Sequence, residues 1–253
     1  MRLKDKVVLI TGAAGAIGIA AVKRFSEEGA KVMLADVNLE SLQPLVAQLG
    51  ADRAACVAVD VTQPDQVENM VRACTDAFGG IDVFVANAGI EGKIGEIIDS
   101  DVANLDKVLA VNVRGVWLGL HYVIPVMKNG GGGSIIITSS GAGVKGAANM
   151  VPYNTSKHAV IGMMRCAALE CTQYNIRVNT VNPGPIESRM MRSIAEGFAP
   201  GGGDDFNQKI TAQTPMGRYG QPVEIANMMV FLGSDESSYC TGSVYMVDGG
   251  NAT

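Results

Sequence analysis

Seven short runs built almost wholly of apolar residues recur along the chain, and they restrict its fold more than any other feature. They are KVVLIT (6–11), KVMLAD (31–36), AACVAVD (54–60), IDVFVAN (81–87), SIIITSS (134–140), IRVNTVNPG (176–184) and GSVYMVDGG (242–250). A strand with one wet face alternates apolar and polar residues. These runs do not, so each reads as a strand covered on both faces, as in a parallel sheet. Between them lie helical patterns at about 16–28, 39–49, 64–78, 101–128, 152–173 and 222–233. Pro64 and Pro222 stand near two helix starts, where a missing N–H costs nothing. Strand–helix alternation with right-handed crossovers predicts a doubly wound α/β sheet of seven mainly parallel strands with helices on both faces.

No linker or repeat divides the chain, so residues 1–253 are read as one domain. NGGGGS (129–134) is a helix-to-strand turn. The stretch 185–221, which contains FAPGGGDD, shows weak periodicity and reads as a long loop. Long loops in compact α/β domains often close over a substrate, so a lid is expected there. Met190, Met191, Phe198 and Phe206 would give it an apolar wall.

Ligands of such sheets bind beyond the carboxyl ends of the strands. The first strand runs into TGAAGAIG (11–18). Its glycines, Gly12, Gly15 and Gly18, follow G-x-x-G-x-x-G rather than G-x-G-x-x-G. Gly12 permits a tight turn, Gly18 a close approach of helix and strand, and the helix start around Ala16 and Ile17 aims unpaired N–H groups at an anion. The second strand ends at Asp36, eighteen residues after Gly18. A carboxylate there accepts from ribose hydroxyls and repels a 2′-phosphate, while Ala13, Ala14, Ala16, Val37 and Asn38 supply no cation. The expected cofactor is therefore NAD. The alternative is that Asp36 only caps the helix after it.

YNTSK (153–157) sets Tyr153 and Lys157 four residues apart, on one face of a predicted helix. An ammonium near a phenol stabilises phenolate, so the Tyr153 pKa is expected to fall below about 10. Such a tyrosine exchanges a proton with an alcohol or ketone oxygen. Ser140 ends the fifth strand and offers a hydroxyl to the same oxygen. Asn112 lies in VNVRG, within the long helix before that strand.

The totals exclude several other classes. A net charge of −5 and aromatics at 5% argue against a nucleic-acid or acidic-membrane surface. Cys56, Cys74, Cys166, Cys171 and Cys240 form no C-x-x-C pair and read as reduced thiols of a cytoplasmic protein. The first apolar run is too short for a signal sequence, and no run is read as a membrane span. Two histidines, His121 and His158, without H-E-x-x-H, define no metal site, and no G-x-S-x-G elbow marks a serine hydrolase.

Nearly the whole chain resembles the short-chain dehydrogenase/reductase family, a Rossmann-type group. The matching residues are TGAAGAIG, Asp36, DVT (60–62), NAG (87–89), VN (111–112), SS (139–140), YNTSK, NPGPI (182–186) and VDGG (247–250). The resemblance implies Tyr153 as general acid/base and Lys157 as the residue that holds the nicotinamide ribose and tunes Tyr153. It implies that Ser140 orients the carbonyl and that Asn112 holds a water in a proton relay. It also implies adenine contacts from Asp60 and Val61, cofactor contacts from Asn87, Ala88 and Gly89, and nicotinamide-side contacts from Pro183, Gly184, Ile186 and Ser188. A homotetramer is implied as well.

The resulting expectation is an NAD-dependent enzyme interconverting a secondary alcohol and a ketone, on a compact hydrophobic or cyclic substrate. Two other readings stand beside it: a reductase of acyl chains on a carrier protein, and an NAD-binding sensor without turnover.

Overall fold

A computed structural model describes residues 1–253. Seven strands form one sheet: β1 (Val7–Thr11), β2 (Lys31–Asp36), β3 (Ala54–Ala58), β4 (Val83–Ala86), β5 (Gly133–Thr138), β6 (Ile176–Pro183) and β7 (Val244–Val247). Their order is β3-β2-β1-β4-β5-β6-β7, and every pairing is parallel. Apolar residues cover both faces, as the unbroken runs require. In β1, Val7 and Leu9 join one core cluster of 28 buried residues, while Val8 and Ile10 join the other, of 23. Truncating such a side chain to alanine costs about 2–5 kcal/mol.

The helices are α1 (Ala16–Glu27), α2 (Gln43–Leu49), α3 (Pro64–Phe78), α4 (Val102–Leu109), α5 (Gly115–Asn129), α6 (Val151–Cys171), α7 (Arg189–Phe198), α8 (Gly203–Gln213) and α9 (Pro222–Gly233). Residues from α3, α5 and α6 build the larger cluster, and residues from α1, α2 and α9 the smaller. Pro64 and Pro222 begin their helices as expected. The chain order reverses at β1, which pairs with β2 on one side and β4 on the other. That reversal opens a crevice at the carboxyl ends of the strands.

Two expectations are corrected. The stretch 185–221 is not one loop: it carries α7 and α8. Met190, Met191, Ile194 and Phe198 share one side of α7, and only the short length of each helix and the glycines between them hid the pattern. The predicted helix 101–128 is interrupted by a π turn at Ala110–Arg114, which contains Asn112. That helical run, Val102–Asn129, is also long and apolar enough, by length and composition alone, to cross a membrane. Its apolar side packs on the sheet, where Val108 and Val123 are fully buried.

Candidate active site

A cavity of about 1000 Å³ lies over the carboxyl ends of the strands. One end is built from backbone. Gly12 has φ +65°, and a Cβ there would stand 2.8 Å from Ala88 Cα, so only glycine allows β1 and β4 this approach. Gly15 is the N-cap of α1 and offers no side-chain cap, which leaves the first-turn N–H groups for a ligand. Ala16 opens α1 and, unlike Gly12, is not among the positive-φ residues, so its methyl adds no backbone strain. Gly12, Gly15, Ala16 and Ile17 line the cavity, and Gly18 does not. Gly18 is buried under the loop, where a Cβ would collide with Gly12 O and stand 2.8 Å from Ala13 Cα. Its task is packing rather than ligand contact.

Asp36 lines the same end. Its Oδ2 accepts from Ala14 N at 3.0 Å and its Oδ1 from Asn38 N at 3.3 Å. It caps no helix, since α2 begins at Gln43 behind an N-cap at Leu42. The carboxylate therefore pins the glycine loop and keeps lone pairs toward the cavity. Val37, Asp60, Val61, Asn87, Ala88 and Gly89 also line it.

A row of side-chain bonds crosses the strand ends. Thr11 Oγ1 accepts from Asn87 N (3.1 Å) and Ala88 N (3.2 Å). Asn87 Nδ2 donates to Thr11 O (3.2 Å) and Gly12 O (3.1 Å), and Thr138 Oγ1 donates to Asn87 Oδ1 (3.2 Å). Sequence reasoning passed over Thr11 and Thr138, although a threonine closing an apolar run marks a strand end at a site.

The reacting end gathers Ser140, Tyr153 and Lys157, all on the cavity wall. Ser140 precedes a short turn, Gly141–Gly143, and its Oγ accepts from Ala142 N at 3.1 Å. Its carbonyl accepts from Asn182 Nδ2 at 2.8 Å. Asn182 is wholly buried and was missed as a support of the serine. Gly143 lets that turn lie on α6, because a Cβ there would stand 2.8 Å from Lys157 O. Lys157 is 5% exposed; its Nζ donates to Thr138 O at 2.9 Å and sits 5.5 Å from the Tyr153 ring centroid.

Burial raises the Tyr153 phenol above its usual value, with the Ser140 hydrogen bond opposing and Glu91 adding to the rise. Burial also lowers Lys157 to about 8. The expected fall of the Tyr153 pKa is thus not met in the chain by itself: desolvation, which disfavours the charged form of both groups, outweighs the Ser140 hydrogen bond.

Asn112 does not line the cavity and is 1% exposed. Its Oδ1 accepts from Ile90 N (2.9 Å), and its Nδ2 donates to Ile90 O (2.9 Å) and Ser156 Oγ (3.0 Å). Both amide hydrogens are engaged. The side chain ties the Gly89–Ile90 segment to α6. Pro183, Gly184, Ile186 and Ser188 lie on the cavity wall, and Ser188 Oγ accepts from Met191 N at 3.1 Å as the N-cap of α7.

Above this end the wall is apolar. Met150, Tyr153 and Ile194 form a small cluster with Met190, Met191, Phe198 and Phe206 against it. The Phe198 and Phe206 rings stack with centroids 5.3 Å apart. His158 is exposed and turned away, with Nδ1 on Asn154 O at 2.9 Å. His121 is exposed as well, stacked on Trp117 at 5.0 Å.

A doubly wound sheet whose crevice joins a glycine-rich helix start to a Ser–Tyr–Lys group, its tyrosine and lysine buried, is the architecture of a nucleotide-linked oxidoreductase. The family model described as Enoyl-(Acyl carrier protein) reductase matches residues 12–252. Levodione reductase of Leifsonia aquatica is 38% identical over 99% of this chain and 96% of its own. A 3-alpha-(or 20-beta)-hydroxysteroid dehydrogenase of Mycobacterium tuberculosis is 41% identical over 98% of this chain and 90% of its own. The crystal structure of levodione reductase superposes with TM-score 0.96 over 99% of both chains. That of NAD+-bound xylitol dehydrogenase, 34% identical, gives 0.93 over 99% of this chain and 100% of that one. The chain belongs to the short-chain dehydrogenase/reductase family and is an oxidoreductase.

Proposed function

We propose that this protein interconverts a secondary alcohol and a ketone on a compact hydrophobic or cyclic substrate with NAD, residues 1–253 acting as one domain. The observation that carries this reading is the cavity-wall group of half-buried Ser140 with buried Tyr153 and Lys157, beneath an apolar wall and sharing the cavity with an uncapped helix start. NAD fits the donor set. The first-turn N–H groups of α1 suit a diphosphate, and Asp36 suits ribose hydroxyls while repelling a 2′-phosphate. Bound NAD supplies the hydride acceptor or donor.

In this reading Tyr153 takes or gives the proton of the substrate oxygen. Ser140 donates to that oxygen and holds it against the phenol. Lys157, anchored on Thr138 O, holds the nicotinamide ribose. Asp60, Val61 and Asn87–Gly89 flank the cofactor, and Pro183–Ser188 its nicotinamide side. The pair α7 and α8 forms the lid, whose apolar side excludes water and favours a ring over a charged chain. Five unpaired cysteines fit a cytoplasmic location. Exposed Trp117, on α5, and Leu169, on α6, fit a homotetramer, which sedimentation would reveal.

The family model's description favours one second reading, reduction of acyl groups on a carrier protein. A panel of secondary alcohols with NAD+, read by NADH formation, separates the two. Turnover of ring and secondary alcohols is expected; turnover of acyl thioesters alone would reject the proposal.

A further inference from the structure

The loop between β4 and α4 has no backbone partner of its own. Residues 89–94 form no hydrogen bond with any other backbone group. Backbone groups drawn away from water need partners, and here two asparagine side chains supply them. Asn112 binds both the N–H and the carbonyl of Ile90. Asn104, on α4 and 7% exposed, repeats the arrangement three residues further on. Its Oδ1 accepts from Lys93 N at 2.9 Å, and its Nδ2 donates to Lys93 O at 3.5 Å and to Ser100 Oγ at 3.3 Å. Lys93 Nζ also meets Asp101 Oδ2 at 3.2 Å. On the other side of Ile94, Gly95 N donates to Asn149 O at 3.0 Å, just before α6. Ile94 is thus pinned from both sides, by α4 through Lys93 and by the approach to α6 through Gly95.

Ile94 packs against the cluster of Met150, Tyr153 and Ile194. It also meets α7 at one point. A Cβ at Gly197 would stand 2.6 Å from Ile94 Cγ1 and 2.9 Å from Ile94 Cβ, and the next atom, at 3.8 Å, is Ile94 Cγ2. Gly197 is not among the positive-φ residues, so the backbone does not require glycine there. Glycine is also a poor helix former, so its presence inside α7 needs another reason. The close approach of Ile94 supplies it. Among helices and strands α7 packs chiefly on α8, so this contact and the small apolar cluster join it to the rest of the domain. Gly197 is exposed, which sets the contact at the outer rim of α7.

We propose that Ile94 and Gly197 form the seat of the lid, and that Asn104 is a positioning residue that holds the seat in place. This rests on the lid and alcohol/ketone reading above and deepens it. The seat fixes where the closed lid stops, and so how much room is left above Tyr153. None of the three residues lines the cavity, so the seat acts through the lid and not through contact with a ligand.

The test reads the lid directly and then through turnover. Arg189 and Arg192 on α7 and Lys209 on α8 are exposed trypsin sites, and where opening is fast their cleavage follows the open population. Gly197→Ala should speed cleavage at these sites by about fivefold. With NAD+ and cyclohexanol the same variant should lose about tenfold in kcat/KM, chiefly through KM, with NADH affinity within about twofold of the wild type. Ile94→Ala removes the nearest atom, and in the Gly197→Ala background it should bring both readouts back to within about threefold of the wild type. Asn104→Leu should also speed cleavage, and Asn104→Asp less, because its carboxylate still accepts from Lys93 N. Helix propensity alone predicts the reverse for Gly197→Ala, a slower cut. That result, or losses from Ile94→Ala and Gly197→Ala that simply add, would overturn the proposal. A wild type that turns over no secondary alcohol while the cleavage pattern holds would reject the alcohol reading and leave the seat standing.

Discussion

The two ends of the cavity are made in different ways. The cofactor end is a framework of short polar bonds: Asp36 to the glycine loop, Asn87 to Thr11 and Gly12, Thr138 to Asn87. Most of its contacts are backbone, so they depend on strand register and on glycine at one or two positions. The substrate end is a wall of methionine, isoleucine and phenylalanine on two short helices, of which only Ile194 and Ala195 are buried on α7 and none on α8. Directional bonds fix a ligand's orientation, whereas an unbranched thioether side chain adapts to many shapes. The first end is therefore built for one cofactor, and the second accommodates variation.

The largest expected effect belongs to the pair that joins the ends. Tyr153→Phe should lower kcat by about a thousandfold while NADH still binds, as read by fluorescence titration. Undiminished turnover would break the proposed chemistry.

Next is a pH effect. Lys157 is lowered to about 8 in the fold, against 10.5 for a free lysine. Below about pH 8 it is protonated in both states and the burial penalty is complete. Between about 8 and 10.5 the unfolded chain binds more protons, so stability rises with pH. Relative to Lys157→Met, the wild type should gain on the order of 3 kcal/mol across that window in denaturant melts. The raised Tyr153 acts oppositely, removing stability only as pH climbs above the usual tyrosine value. A flat difference would show that Lys157 is hydrated in solution.

At the cofactor end, Asp36→Ser should shift the NADH-to-NADPH ratio of kcat/KM toward NADPH by about thirtyfold, through lost ribose bonds and lost repulsion. Part of any loss with NADH would come from the loosened Ala14 N contact. At the substrate end, Phe198→Ala should cost about tenfold in kcat/KM for ring ketones and leave NADH affinity alone. An equal loss of NADH affinity would mean that the two ends are not separable. The smallest effect is Ala16→Gly, which should change NAD affinity by about twofold or less, since the helix already begins there without strain. A large gain would show that the methyl obstructs the diphosphate.

The same contrast explains what could be read in advance. The seven apolar runs matched seven strands within a few residues because burial on both faces leaves a composition signal. Gly12, Asp36, Tyr153 and Lys157 were legible because backbone geometry or chemistry narrows the residue types allowed. The helices α7 and α8 were not: two short helices of different phase fall in one window, with Gly201 and Gly202 between them. The side-chain partners of Asn112, Ile90 and Ser156, lie 22 and 44 residues away, and no local pattern predicts them. The tie from Lys145 to Asn251 spans 106 residues, and no local pattern announces it.

The π turn has a consequence for the chain as a whole. One line of buried positions along this helical run comprises Asn104, Val108, Asn112, Val116 and Leu120, in steps of four. A regular α-helix turns about 100° per residue, so steps of four drift by about 40° each. One wider turn takes back more than half of that drift, about 100° for its extra residue, and keeps the buried line nearer the sheet before and after the site. The turn works as a phase correction between two helices. Removing a single residue from Ala110–Arg114 would put everything downstream out of step, turning Trp117 and its neighbours through about a quarter of a circle.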